Sequence, residues 1–253
     1  MKTVSVIIPT YNDTQRLRWV LEGLLAQTYD DFEVIVVNDG GDESTSGLVR
    51  EYENSLNAYC LYLDPLTPDF RAAAARNLGV KFSSGEVLIF LDTDCVPAPN
   101  LVETHLDNVV PNSVLCGRRR FIDENVAEAM ELPLDYEALR AVSHPDEYPD
   151  DANVFLSCHL GMLAELFCAY GGFDESFVGY GAEDQELMCR YARAGVQFVN
   201  LKGTEVIHLW HPPRATHQPI NGIERLIPLR DSPLVANGGP LLRIGTEQFV
   251  GAA

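Results

Sequence analysis

Between residues 4 and 91 the chain alternates short apolar runs with longer segments of helical period. No other feature constrains its fold as tightly. VSVIIPT (4–10), FEVIVVN (32–38), AYCLYL (58–63) and EVLIFL (86–91) all have strand length and little polar content. Between them Thr14 opens a segment with Leu17, Val20, Leu21, Leu24 and Leu25 at helical spacing. Ser44 to Glu53 reads as a second helix, and RAAAARNLGVKFSS (71–84) as a third, closed by Gly85. Strand–helix–strand order with strands apolar throughout predicts an α/β fold, with a mainly parallel sheet covered by helices on both faces. With 253 residues, 46% hydrophobic and 22% charged, the chain can build one large α/β domain or two small ones.

Sheets of this kind bind ligands at the carboxyl ends of their strands. Three polar tips lie at such ends: Pro9-Thr10-Tyr11-Asn12, Asp39-Gly40 and Asp92-Thr93-Asp94. In extended chain Asp92 and Asp94 point to the same side. Two carboxylates that close repel unless a cation sits between them. Hard divalent ions take one or two carboxylates and complete their shell with phosphate oxygens and water, so the pair points to phosphate chemistry. Singly, each tip has a plainer explanation. Asp39 can cap a turn, Thr10 and Asn12 can start a helix, and Arg71 and Arg76 can be solvated faces of a helix. Their joint occurrence at corresponding strand ends is what makes a site.

The net charge of −19, with only three lysines, argues against a nucleic-acid backbone or an anionic membrane surface as partner. No run approaches about 18 consecutive apolar residues, so no membrane span is expected, although peripheral association stays open. MKTVSVIIPTYN enters a strand at once, and Pro9 interrupts it too early for a signal-peptide core, which predicts a cytoplasmic protein. The six cysteines show no metal-like spacing and read as reduced, buried thiols.

VSVIIPTYN, VIVVNDGG, AAAARNLG and VLIFLDTD, in this order, resemble the nucleotide-sugar half of family-2-type inverting glycosyltransferases with the GT-A fold. GGFDESFVGYGAEDQELMCR (171–190) resembles the acceptor-side segment of galactosyltransferase-type C-terminal domains. The resemblance covers about residues 3–212. It implies a nucleotide-binding half (1–117) and an acceptor and catalytic-base half of the same domain (118–211), while the prolines and glycines of 212–253 read as a partly flexible lid or tail. It also implies transfer, with inversion and with Mn²⁺ or Mg²⁺ as cofactor, from a nucleotide sugar to a glycan or other hydroxyl acceptor.

By the same resemblance Pro9, Thr10, Tyr11 and Asn12 belong to the nucleotide site, and Asp39 matches the aspartate that bonds uracil, which favours a UDP-sugar. Arg71, Asp92 and Thr93 fall on further nucleotide positions, and Asp94 on the metal ligand. Asp184 matches the catalytic base, with Glu183, Gly181 and Tyr180 on the acceptor side. Acids in the first turn of a helix also complement its positive end. A histidine after the strand TEVIHLW would complete the metal site. His208 and His211 would face opposite ways on a strand, so only one need be a ligand, His211 ahead of His208, with His159 and His217 in weaker contexts.

Residues 118–151 fit no such pattern. Arg118-Arg119-Arg120 could approach the diphosphate or an acidic acceptor, or be a solvated sheet edge. Residues 127–142 read as one amphipathic helix interrupted by Pro133. Two other functions stay open. A phosphatase could use the first aspartate as nucleophile, but it needs a lysine before the later acidic pair, and Lys202 follows Glu183-Asp184. The other is a non-catalytic sugar-nucleotide binding module.

Overall fold

A computed structural model describes residues 2–64, 70–146, 155–179, 181–212 and 233–244. The first half folds as its apolar pattern predicts. Its elements are β1 (Val4–Thr10), α1 (Thr14–Leu25), β2 (Phe32–Asn38), α2 (Ser44–Leu56), β3 (Ala58–Tyr62), α3 (Ala72–Phe82) and β4 (Val87–Leu91). Then follow β5 (Cys95–Pro97), α4 (Leu101–Asn108), β6 (Ser113–Phe121), α5 (Glu124–Glu128), α6 (Tyr136–Val142) and β7 (His144–Pro145). The described part ends with β8 (His159–Leu163), α7 (Ala164–Ala169), α8 (Glu183–Arg193) and β9 (Gln197–His208).

One sheet runs in the order β3-β2-β1-β4-β8-β6-β9-β5, with β7 beside β6. β3, β2, β1 and β4 are parallel, and β6 pairs parallel with β9. β8 is inserted antiparallel between β4 and β6. Strand alternation divides the core in two. Val4, Val6, Ile8, Val34 and Val36 pack with Leu17, Leu21 and Leu24 of α1 and Leu48 and Tyr52 of α2. Ile7, Ile35, Val37, Leu88 and Phe90 pack on the other face with α3, α7 and α8. The chain runs outward from β1 to β3 and then returns past β1 to β4. That reversal opens a crevice at the carboxyl ends of β1 and β4.

The opposite end of the sheet is tied by a buried carboxylate. Glu33 accepts from Ser5 Oγ at 2.5 Å, Ser84 N at 2.6 Å and Tyr59 OH at 3.1 Å. Glu33→Ala strands these donors and should cost about 3 kcal/mol in a denaturant melt, without changing ligand affinity at the far end.

Residues 127–142 are not one helix. α5 ends at Glu128, and α6 starts only after Asp135, whose side chain accepts from Ala138 N. Pro133 between them cannot donate to a helical ladder. Of the six cysteines Cys189 is exposed and Cys60 and Cys168 are half-buried, so the expectation of buried thiols holds for Cys95, Cys116 and Cys158. Within the tail, residues 233–244 are docked on the body. Ala236 N, Leu241 N and Ile244 N donate to Tyr170 O, Cys168 O and Lys81 O, and Arg243 bonds Ser83 O. Among the described residues no helix is long and apolar enough to cross a membrane.

Candidate active site

The three strand tips meet. Asp39 N donates to Thr10 O at 2.8 Å, and Thr93 Oγ1 donates to Pro9 O at 2.7 Å, which fixes the tips of β2 and β4 to that of β1. A cavity of about 440 Å³ opens beside them, lined by Pro9, Thr10, Tyr11, Asn12, Asp92, Thr93 and Asp94 on one side. Thr10 Oγ1 is buried without a protein partner. Asn12, at φ 51°, accepts from Asp42 N and so braces the Gly40-Gly41 turn. Asp39 does not line this cavity. Its carboxylate is fully covered by Arg71, which donates from Nε at 3.0 Å, from Nη2 at 2.7 Å and from its backbone N.

Asp94 is the centre of a donor cluster. His208 Nε2 lies 3.7 Å from its Oδ1 and His211 Nε2 3.5 Å from its Oδ2. Donors about 2.1 Å from a common ion stand roughly 3.0–3.4 Å apart, so each imidazole is near coordinating distance of Asp94, but on a different carboxylate oxygen, and His211 must shift to share one cation with His208. Burial holds the His208 imidazole below its ordinary pKa, and a neutral ring has a lone pair to give. The expectation that the two histidines diverge is corrected here. β9 ends at His208, so His211 is not on the strand, and both rings turn to Asp94 with centroids 5.2 Å apart. His159 is elsewhere, fully buried in edge contact with His105.

The acid pair lines the same cavity as this cluster. Gly179 (φ 97°), Gly181 (φ 84°) and Ala182 (φ 77°) turn the chain sharply into α8. An alanine there is strained, a cost that functional sites tolerate. The turn directs Glu183 and Asp184, 7% and 9% exposed, inward from the first turn of the helix. Burial first, and then the neighbouring Glu183 charge, push the Asp184 carboxyl up to about 6. Its oxygens accept from Gln185 N at 2.8 Å and Ser157 N at 3.4 Å.

Arg76 ties the halves together. It is 3% exposed, with Nη2 2.7 Å from Asp92 Oδ1 and Nη1 2.8 Å from Glu183 Oε1. The plainer alternative for it, a solvated helix face, does not hold, because Arg76 is buried between two carboxylates. Behind the acid pair Asn77 exchanges hydrogen bonds with Phe173 N and O. Arg190 reaches Tyr170 O and Gly172 O at 2.7 Å while paired with Glu186. These contacts hold the GGFDE turn, and no residue pattern announced them.

Of the arginine run, Arg119 lines the cavity and pairs with Asp146 at 2.7 Å, while Arg120, between β7 and β9, bonds Ser143. Among the described residues no lysine lines the cavity, and Lys202 lies on a separate groove, so the lysine a phosphatase needs is not there. Gly181 lines the cavity. Tyr180 and His217 lie outside the described residues, as do positions 147–151, 213–232 and 245–253.

A parallel first half, a polar crevice at its switch point and an acidic tip beside two histidines define a GT-A architecture. Two solved structures share it. The 1–349 fragment of TarS from S. aureus in complex with UDP-GlcNAc aligns with TM-score 0.65 at 22% identity, over 88% of this chain and 64% of that one. GalNAc-T7 with UDP, GalNAc and Mn²⁺ aligns with TM-score 0.63 at 16% identity, over 83% of this chain and 44% of the other. Residues 5–166 match the model of glycosyl transferase family 2, and the chain belongs to that family. Residues 137–212 also match a model described as the N-terminal domain of galactosyltransferase. Among curated relatives, validoxylamine A glucosyltransferase of Streptomyces hygroscopicus subsp. jinggangensis is 32% identical over 222 residues, 76% of this chain and 52% of that protein. The chain thus spans about half the length of that relative.

Proposed function

We propose that the chain transfers a sugar from a UDP-sugar to an acceptor hydroxyl with inversion at the anomeric carbon. The observation that carries this reading is the presence of two unlike groups in one cavity. Asp94 with His208 and His211 suits a cation and diphosphate, and Asp184, raised toward neutrality, suits a proton acceptor. The acceptor oxygen would form its bond to the anomeric carbon as the bond to the diphosphate oxygen breaks on the opposite face, with the hydroxyl proton passing to Asp184. Inversion follows from that single displacement.

Asp94, His208 and His211 would hold a divalent ion, whose charge offsets the charge growing on the departing diphosphate. Two imidazoles beside one carboxylate favour Mn²⁺ over Mg²⁺. Thr10 and Tyr11 would form the nucleobase end, with Asp92 and Thr93 beside the ribose, and Asp39 would reach a base only if Arg71 gave way. Glu183 would act through Arg76, keeping the base at a fixed distance from the donor, and Gly181 would leave room for the acceptor.

A thermal-shift panel tests this. A UDP-sugar at about a hundred times its dissociation constant, with Mn²⁺, should stabilise the chain by roughly 2.7 kcal/mol. The metal-dependent part of that shift should vanish in Asp94→Ala. An equal shift in both proteins, or none with any UDP-sugar, refutes the assignment.

A further inference from the structure

We propose that Cys95 joins Asp94 and His208 in a mixed sulfur, oxygen and nitrogen donor set, so that the cation site of this chain prefers borderline and thiophilic divalent ions over Mg²⁺. This assignment rests on the placement of the cation at Asp94 argued above. One ligand-capable atom from each of the three residues lies within 4.8 Å of the others. The backbone makes this so. β5 begins immediately after the acidic tip, and Cys95 is the direct antiparallel partner of His208, which puts both side chains on one face of the sheet. Cys95 Sγ lies 3.5 Å from Asp94 Oδ1, and Leu209 N holds Asp94 O at 2.7 Å.

A plainer explanation is that Cys95 fills space in the core, where it does pack. Two other thiols of this chain, Cys60 and Cys116, lie against backbone carbonyl oxygens. The Cys95 sulfur instead has the Asp94 carboxylate on one side and the Cys158 thiol, on the cavity wall, on the other.

Sulfur donors select zinc and cobalt, whereas carboxylate and water suit magnesium and manganese. Ligation would form a sulfur–metal bond as the thiol proton leaves to the buffer. Zn²⁺ is satisfied by four ligands, of which Asp94, Cys95 and His208 supply three and His211, on the other Asp94 oxygen, would supply the fourth after a shift. Bound in that way it would leave no position for a diphosphate oxygen, so Zn²⁺ would compete with Mn²⁺ and inhibit.

The full chain is titrated with cobalt(II) chloride, and Zn²⁺ and Mn²⁺ are compared by equilibrium dialysis. The wild type should show a thiolate-to-cobalt charge-transfer band in the near ultraviolet, lost in Cys95→Ser and kept in Cys158→Ser. Cys95→Ser should weaken Zn²⁺ on the order of tenfold or more while changing Mn²⁺ by less than about threefold. The wild-type spectrum decides even if a variant misfolds. Cobalt bound without the band, together with loss of binding in Asp94→Ala, overturns the sulfur ligand and leaves the Asp94 site standing. No binding of any of these ions to the wild type overturns both.

Discussion

Asp184→Asn is expected to lower transfer by roughly 10²–10⁴-fold while leaving UDP-sugar affinity unchanged, as measured by steady-state kinetics beside calorimetric binding. The substitution keeps the outline of the side chain and the short bond from Gln185 N, gives up the long 3.4 Å bond from Ser157 N to the amide nitrogen, and removes the ability to take a proton. Wild-type kcat should rise with pH and level off above about 6, and the residual rate of the variant should lack that inflection.

The same group makes a stability prediction of opposite sense. The folded-state value of about 6 lies above the ordinary value of about 3.9, so the folded chain binds the proton more tightly than the unfolded chain. The contribution is therefore full below about pH 4 and is lost as pH rises through 6. Asp184→Asn should melt higher than wild type at pH 7.5 and show no such gain at pH 4. A variant that is inactive and less stable at pH 7.5 would instead mark Asp184 as a structural acid.

Arg76→Met should be the most damaging substitution of a residue outside the reacting groups. It strands Glu183, whose side chain is 10% exposed, and Asp92, which at 36% can recover water. Removing one partner of a buried pair costs about 3–5 kcal/mol, and the exposure of Asp92 places this case near 3. Thermal unfolding reads that loss. Both halves of the cavity should loosen together, so UDP-sugar affinity and kcat both fall. Loss of kcat alone would show that Arg76 serves only the acid pair.

Much of this was legible in the residues. Continuous apolar runs of strand length bury on both sides whatever covers them, so β1 to β4 and their parallel order could be read before any coordinate. Tips at corresponding strand ends share an edge, so Thr10, Asp39 and Asp92–Asp94 could be placed together. Which of these atoms are free could not. Asp39 and Arg71 lie 32 positions apart and cover one another. Arg76 looked like an ordinary helix cation because its partners, Asp92 and Glu183, lie 16 and 107 positions away. The histidines misled for a local reason, since strand alternation holds only while the strand lasts, and β9 stops at His208.

Periodicity and turn chemistry are local properties, and they determined the α/β class, the polar edge and the residue types that could serve a cation, a phosphate and a base. Long-range packing decided the rest. It inserted β8 between β4 and β6, closed β5 against β9 so that Cys95, Asp94 and His208 share a corner, and buried Asp184 beside Glu183. Charge and proton affinity depend on what surrounds a group in space, and only the folded chain sets those surroundings.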